Sequence, residues 1–304
     1  MRKLLLGTFI ILFGFTLSGF TATEDKPIRI FISADMEGIA GAIEPNQIID
    51  GGMEYQKFRE IMTNEVLAAI EGARAGGATE FVVADAHGGM QNLLFDRFPD
   101  DVEIVRGSPR PHGMMEGIQD GHFDGAIYVG YHASSANIKG VRAHSFSSAN
   151  FSEVTLNGLA VSEGYFNAAL AGNYGVPVIM VTGDQAATDE VADTVGDMEK
   201  AVVKKSISFH SARTLTPNAA NKIIRAKAKT AVERMRIGDF KPFIIKGPIS
   251  MQITTHYYQP AELLAYLKSV SRIGGRTIEY IGDDMLDLST FKEFLAHYSL
   301  GLKP

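Results

Sequence analysis

Short apolar runs alternate with helical periodicity over the first two thirds of the chain, and each run stops on a polar cluster. Ile28-Arg29-Ile30-Phe31-Ile32 reads as a strand ending in Ser33-Ala34-Asp35-Met36-Glu37-Gly38. Gly38 to Gly52 has loop character. Phe58, Ile61, Met62, Val66, Ala69, Ile70 and Ala73 then recur at helical spacing, and Gly76-Gly77 stops the predicted helix. Phe81-Val82-Val83-Ala84 is an apolar strand leaving through Asp85-Ala86-His87-Gly88-Gly89. Strand, helix and strand make a βαβ unit with parallel neighbouring strands, so Asp35 and His87 are expected at one sheet edge.

The punctuation recurs. Val102 to Val105 is a short strand and Met114 to Gln119 a short predicted helix. Ala126 to Val129 leaves through Gly130-Tyr131-His132, and Val176 to Val181 through Thr182-Gly183-Asp184. Ligands of open α/β sheets bind outside the carboxyl ends of the strands. Four exits carrying an acid or a histidine therefore predict a shared polar site. Between the last two strands, Glu153 to Leu156 alternates, Asn157-Gly158 signals a hairpin, and Leu159 to Val161 returns. Ser162 can cap a following helix, with Glu163 in its first turn where the dipole favours an acid.

From about Ser206 the texture changes. A basic, Ala-rich helix is expected over Pro217 to Met235, and a strand pair from Phe243 through Thr254. A helix over Pro260 to Val270, a strand over Thr277 to Ile281 and a helix over Leu288 to His297 follow. The fold class expected is α/β, a mostly parallel sheet with flanking helices, plus a smaller α+β C-terminal domain. The divisions are a leader at 1–22, a catalytic metal-binding domain at 27–205 and the α+β domain at 206–304.

Composition narrows the function. The chain has 304 residues, 45% of them hydrophobic, enough for a substantial core. A net charge of −6 without a Lys/Arg block argues against nucleic-acid partners. Arg2 and Lys3, then apolar Leu4 to Leu17, then small or polar Ser18 to Thr23 form an export-signal pattern. Phe20 makes cleavage after Ala22 a poor fit, so a retained N-terminal anchor is the minor alternative to an exported, periplasmic or secreted protein. The absence of cysteine excludes disulfides and thiol chemistry.

The candidate site residues are Asp35, Glu37, His87, His132, His144 and Glu163. Imidazoles mixed with carboxylates suit Zn²⁺ or another first-row divalent ion. One aspartate can bridge two ions about 3.5–4 Å apart, which would polarise both a carbonyl and a water. Asp85 is a candidate for orienting His87 or for capping a loop, and Asp184 for supporting the site or capping a strand end. His112, His122, His210, His256 and His297 lie away from strand exits and are expected to be structural.

The ordered set S-x-D-x-E-G, D-A-H-G, G-Y-H-A at 130–133, R-A-H-S at 142–145, N-G-L-A-V-S-E-G-Y-F-N-A at 157–168 and V-T-G-D at 181–184 resembles the zinc-dependent D-aminopeptidases of the DppA type. The resemblance spans most of residues 28 to 190. It implies a two-zinc aminopeptidase releasing N-terminal D-amino acids from short peptides. By the same resemblance Asp35 bridges the ions, Glu37 and His87 complete one shell, and His132 and Glu163 complete the other. His144 matches a catalytic histidine beside the metals. The resemblance also implies a homo-oligomer, a decamer of two stacked pentameric rings. An export signal departs from the usual members. Alternatives are another binuclear amidohydrolase, an L-aminopeptidase on the same scaffold, or a non-catalytic periplasmic protein binding peptide or metal.

Overall fold

The computed structural model describes residues 26–298, so the leader at 1–22 lies outside the described residues. In chain order the elements are β1 (Arg29–Ala34), α1 (Pro45–Ile48), α2 (Tyr55–Ala75), β2 (Glu80–Asp85), β3 (Val102–Val105) and β4 (Gly125–Tyr131). Then come β5 (Phe151–Leu156), β6 (Leu159–Ala160), α3 (Glu163–Asn173), β7 (Val178–Asp184), α4 (Gln185–Val195), β8 (Glu199–Ser208) and β9 (Ser211–Thr214). The remainder is α5 (Pro217–Arg236), β10 (Ile249–Thr255), α6 (Tyr258–Leu264), β11 (Val270–Arg272), β12 (Thr277–Gly282) and α7 (Met285–His297).

Seven strands form the main sheet in the order β3-β2-β1-β4-β7-β8-β9, all parallel except β9. The chain runs from β1 outward through β2 and β3, then returns to the other side of β1 as β4. The boundary between β1 and β4 is thus a topological switch point, where connections diverge to opposite sides and leave a crevice. Alternation sorts the side chains of β1. Phe31 joins the core on one face, while Ile30, Ile32 and Ala34 join α2 and α5 on the other. Gly72 lets α2 and α5 meet closely, because a Cβ there would fall 2.2 Å from Arg225 O.

A second, antiparallel sheet has the order β11-β12-β10-β5-β6. Its Val154, Leu156, Met251, Ile253 and Ile278 share one core with α3 and with Phe31, Tyr128 and Val181 of the main sheet. The expected division at 205/206 therefore does not coincide with a break in the fold. It falls inside β8, α5 covers the main sheet, and the small sheet draws β5 and β6 from before the division and three strands from after it. The mixed architecture itself is as expected. So are the Asn157-Gly158 hairpin, with φ of 50° and 81°, and the Ser162 cap, whose hydroxyl accepts from Tyr165 N at 3.2 Å.

Three local expectations fail for identifiable reasons. Residues 114–119 form two short 3₁₀ turns rather than one helix, separated by Gly117 at φ 100°. The strand expected to open at Phe243 begins only at Ile249. Pro242 and Pro248 cannot donate to a ladder, and Phe243 instead lies on α3, its carbonyl where a Cβ on Gly172 would be. The helix expected over 260–270 runs from Tyr258 to Leu264, and Val270 begins an edge strand beside β12.

Candidate metal centre

The four polar strand exits meet as parallel topology requires. Asp35 follows β1, His87 lies two residues past β2, His132 follows β4, and Asp184 ends β7. The β1 and β4 exits are held together by Asp35 N donating to Val129 O at 2.8 Å and Gly38 N to Gly130 O at 2.7 Å. This approach demands glycine twice. A Cβ on Gly38 would sit 2.1 Å from Tyr131 O, and one on Gly130 would sit 2.3 Å from Asp35 O.

Asp35 is buried with its two oxygens facing different histidines. Oδ1 lies 3.3 Å from His87 Nδ1, and Oδ2 lies 3.5 Å from His132 Nε2. Glu37 Oε2 is 2.8 Å from His87 Nδ1. On the other side Glu163 Oε1 is 3.3 Å from His132 Nε2 and 3.8 Å from His144 Nε2. The His132 and His144 rings stack at 4.0 Å. Asp35, Glu37 and His132 offer donor atoms within 4.8 Å of one another, and so do His132, His144 and Glu163. Distance alone thus admits His144 to the second donor group, whereas the resemblance sets it beside the metals.

Backbone carbonyls orient all three rings. His132 Nδ1 faces Ala133 O at 3.0 Å and His144 Nδ1 faces Arg142 O at 2.9 Å, so both present Nε2 to the cavity. His87 is reversed, with Nε2 on Ile48 O at 2.6 Å and Nδ1 inward. A ring that donates its outer N–H to a carbonyl keeps the inner nitrogen's lone pair available to a metal. Asp35 Oδ2, Glu37 Oε2 and His132 Nε2 are buried without a well-aligned hydrogen bond. Leaving such atoms unsatisfied costs about 1–3 kcal/mol each. Orphaned donors of metal-ligand type, aimed at a shared centre, fit one or two divalent cations.

Electrostatics point the same way. Burial, then Glu37, raises the Asp35 carboxyl to about 7. Burial also opposes ionisation of Glu163, but the charge of His132 overrides it and holds the acid at about 2. Conversely burial disfavours imidazolium at His132, yet Glu163 carries it to about 10. His87 is raised well above its ordinary value, with burial outweighed by Glu37, whose own carboxyl His87 holds well below the usual range against burial. Protons on His87 and His132 therefore occupy the electrostatic place of cations. Of the three histidines only His144 moves down, through burial and then His132, and it stays neutral.

Asp85 and Asp184 support the loops rather than the rings. Asp85 accepts from Asn92 N at 2.5 Å, Leu93 N at 2.7 Å and Asn92 Nδ2 at 2.8 Å, and the same amide reaches His87 O at 2.7 Å. Asp184 caps α4 through Ala187 N at 3.1 Å and holds Val141 N at 3.3 Å, at the start of the loop carrying His144. His297, expected to be structural, lines the cavity wall. Sequence reasoning missed Lys204, whose buried Nζ donates to the carbonyls of Glu37, Ile39 at 3.0 Å and Ala42 at 2.6 Å. It also missed Lys292 and Glu293 of α7 as cavity lining. Lys292 stands four residues after Leu288 and seven after Met285, where the helix period calls for an apolar residue, which was an available signal. Lys204 shares the parity of Lys200 and Val202 rather than that of the core residues Ala201 and Val203, and strand alternation gave no signal for it.

Carboxylates and imidazoles gathered over a sheet switch point define the site class, a metal-dependent hydrolytic centre. The chain belongs to the D-aminopeptidase family, whose model matches residues 28–294. It is 32% identical over 263 residues to a D-aminopeptidase of Bacillus subtilis (strain 168), covering 86% of this chain and 93% of that one. Among solved structures it is similar to the Zn-dependent D-aminopeptidase DppA from Bacillus subtilis, described as a self-compartmentalizing protease. The TM-score is 0.82 at 28% identity, over 90% of this chain and 100% of that chain.

Proposed function

We propose that the protein is a zinc-dependent D-aminopeptidase that hydrolyses short peptides at an N-terminal D-residue. The observation that carries this reading is the split environment of Asp35, with one oxygen turned to His87 and the other to His132. That arrangement, in a chain of this family, supports Asp35 as the bridge between two ions. Glu37 and His87 would hold one ion, and His132 and Glu163 the other. When bound, such a pair supplies a Lewis acid for the scissile carbonyl and a water acidic enough to attack at neutral pH.

The protein's own groups cover the remaining tasks. His144 is neutral, its Nδ1 fixed on Arg142 O and its Nε2 free in the cavity, so it can accept a proton and return it to the leaving amine. Phe146 N donates to Glu163 Oε1 at 2.6 Å, fixing that carboxylate. Lys204 fixes the turn after Glu37, so the acids keep their aim. The cavity, of about 340 Å³, is at the small end of ligand pockets and suits short peptides.

The leader pattern supports export, where wall-derived peptides with D-alanine occur, and the resemblance supports assembly into two stacked pentameric rings. A peptide panel differing only in the chirality of the first residue tests substrate class. Turnover of the D-series with two zinc ions per chain is expected. Equal or exclusive turnover of the L-series refutes the reading. Mass photometry of the purified chain reads the assembly, for which a monomer is the contrary result.

A further inference from the structure

Besides its metal-ligand-type side chains, the cavity is lined by two cations, Arg142 and Lys292. Lys292 is committed. Its ammonium pairs with Glu293 and lies 4.7 Å from the Phe146 ring centroid and 5.5 Å from that of Phe166. Arg142 is not committed. Its Nε is buried with no hydrogen-bond partner, and its guanidinium carbon lies 5.7 Å from the Phe209 ring. No carboxylate among the described residues pairs with it.

The backbone beneath this guanidinium is held firmly. Arg142 N donates to Phe209 O at 3.0 Å, and Arg142 O accepts from His144 Nδ1 at 2.9 Å. The residue sits at φ 56°, a conformation ordinary side chains rarely adopt. Arg142 and His144 are two residues apart, so their Cα atoms are no more than about 7 Å apart. The peptide unit that orients His144 thus also places an uncompensated cation on the cavity wall.

A partly buried guanidinium without an anion is unfavourable until one arrives. Its planar fork matches a carboxylate with two parallel hydrogen bonds. A peptide whose amino end lies at the metal-ligand cluster presents its α-carboxylate at the far end. We infer that Arg142 binds the C-terminal carboxylate of the substrate, so that the enzyme measures peptide length from both ends. This rests on the peptidase reading above. Each residue extends a chain by at most about 3.3–3.6 Å. A peptide must therefore be long enough to span from the metals to Arg142, and residues beyond that length must loop out, at an entropic cost.

The test compares one D-dipeptide as free acid and as C-terminal amide, by hydrolysis and by calorimetric binding, using zinc-loaded protein. Wild type should prefer the acid about ten- to a hundredfold in kcat/KM, carried mainly by KM. Arg142→Gln should lower that acid-to-amide ratio at least tenfold with zinc content unchanged, and Arg142→Lys should keep part of it. A wild-type ratio near one overturns the inference without recourse to any variant, as does an Arg142→Gln ratio equal to wild type. Equal cleavage of acid and amide leaves the peptidase standing and removes the subsite. Selective binding of the acid without cleavage of either peptide retains the subsite and removes the peptidase.

Discussion

Replacing Asp35 by asparagine should stabilise the metal-free protein while destroying its response to zinc. The Asp35 carboxyl is raised from its ordinary 3.8 to about 7, by burial and then Glu37, even after the attractions of His87 and His132. That rise is worth on the order of 4 kcal/mol against the ionised folded form. Between pH 3.8 and 7 the folded chain keeps this proton while the unfolded chain has released it. The contribution of this group to stability therefore falls as pH rises through that window, and the full penalty is present above about pH 7. Asparagine has nearly the same shape and no charge to bury. At pH 8, chelator-treated Asp35→Asn should be more stable than wild type by about 2–4 kcal/mol, allowing for relaxation. At about 2 °C per kcal/mol for a chain of this size, that is a rise in Tm of roughly 4–8 °C. The advantage should shrink toward pH 4. Zinc at a hundredfold over Kd should add about 2.7 kcal/mol per site to wild type. The variant should gain little, because an amide cannot bridge two cations. Thermal unfolding with and without zinc at the two pH values reads both effects. A metal-free Asp35→Asn less stable than wild type at pH 8, yet still stabilised normally by zinc, would refute the reasoning.

Metal analysis should separate the two acids of the first loop, with Asp35→Ala empty at both positions and Glu37→Ala retaining one ion. Equal loss in the two variants would remove the bridging role. His144→Ala should keep its metal and lose turnover by about 10²–10⁴, the usual worth of a general acid–base group. Near-normal turnover with metal retained would remove His144 from the mechanism. Lys204→Met strips the donor from three carbonyls, and a loss of about 3 kcal/mol or more is expected, with weaker zinc binding because the turn after Glu37 is no longer held. Denaturant unfolding and zinc titration check this, and unchanged zinc affinity would confine Lys204 to a structural role.

Five of the seven strands of the main sheet, β1 to β4 and β7, were legible because they are short, apolar and separated by clear helical periodicity and glycine stops. By contrast β8 and β9, rich in Lys, Ser and Thr, were not read as strands. Those local signals, with the handedness of βαβ crossovers, were enough to put Asp35 and His87 at one edge. The domain division was not legible. A strand pairs through its backbone, and nothing in the residues of β5 announces that β10, nearly a hundred positions later, is its partner. The breaks introduced by Pro242 and Pro248 were readable, but the apolar run Phe243 to Ile245 outweighed them. Lys292 was passed over because a charged residue in an apolar period reads as a surface position until the structure buries it, and Lys204 because it shares the half-buried parity of Lys200 and Val202.

The chain by itself determined which chemistry was available. Acids and histidines at strand exits, in one recurring order, and the absence of cysteine follow from residue identity and local periodicity, which need no tertiary information. Only the tertiary structure decided how those groups are used. The side of Asp35 that meets each histidine, the reversal of His87 against Ile48 O, the neutrality of His144 and the uncompensated guanidinium of Arg142 all depend on burial and on partners distant in sequence. Desolvation and charge–charge energies are set by separation in space, and spacing along the chain does not encode them.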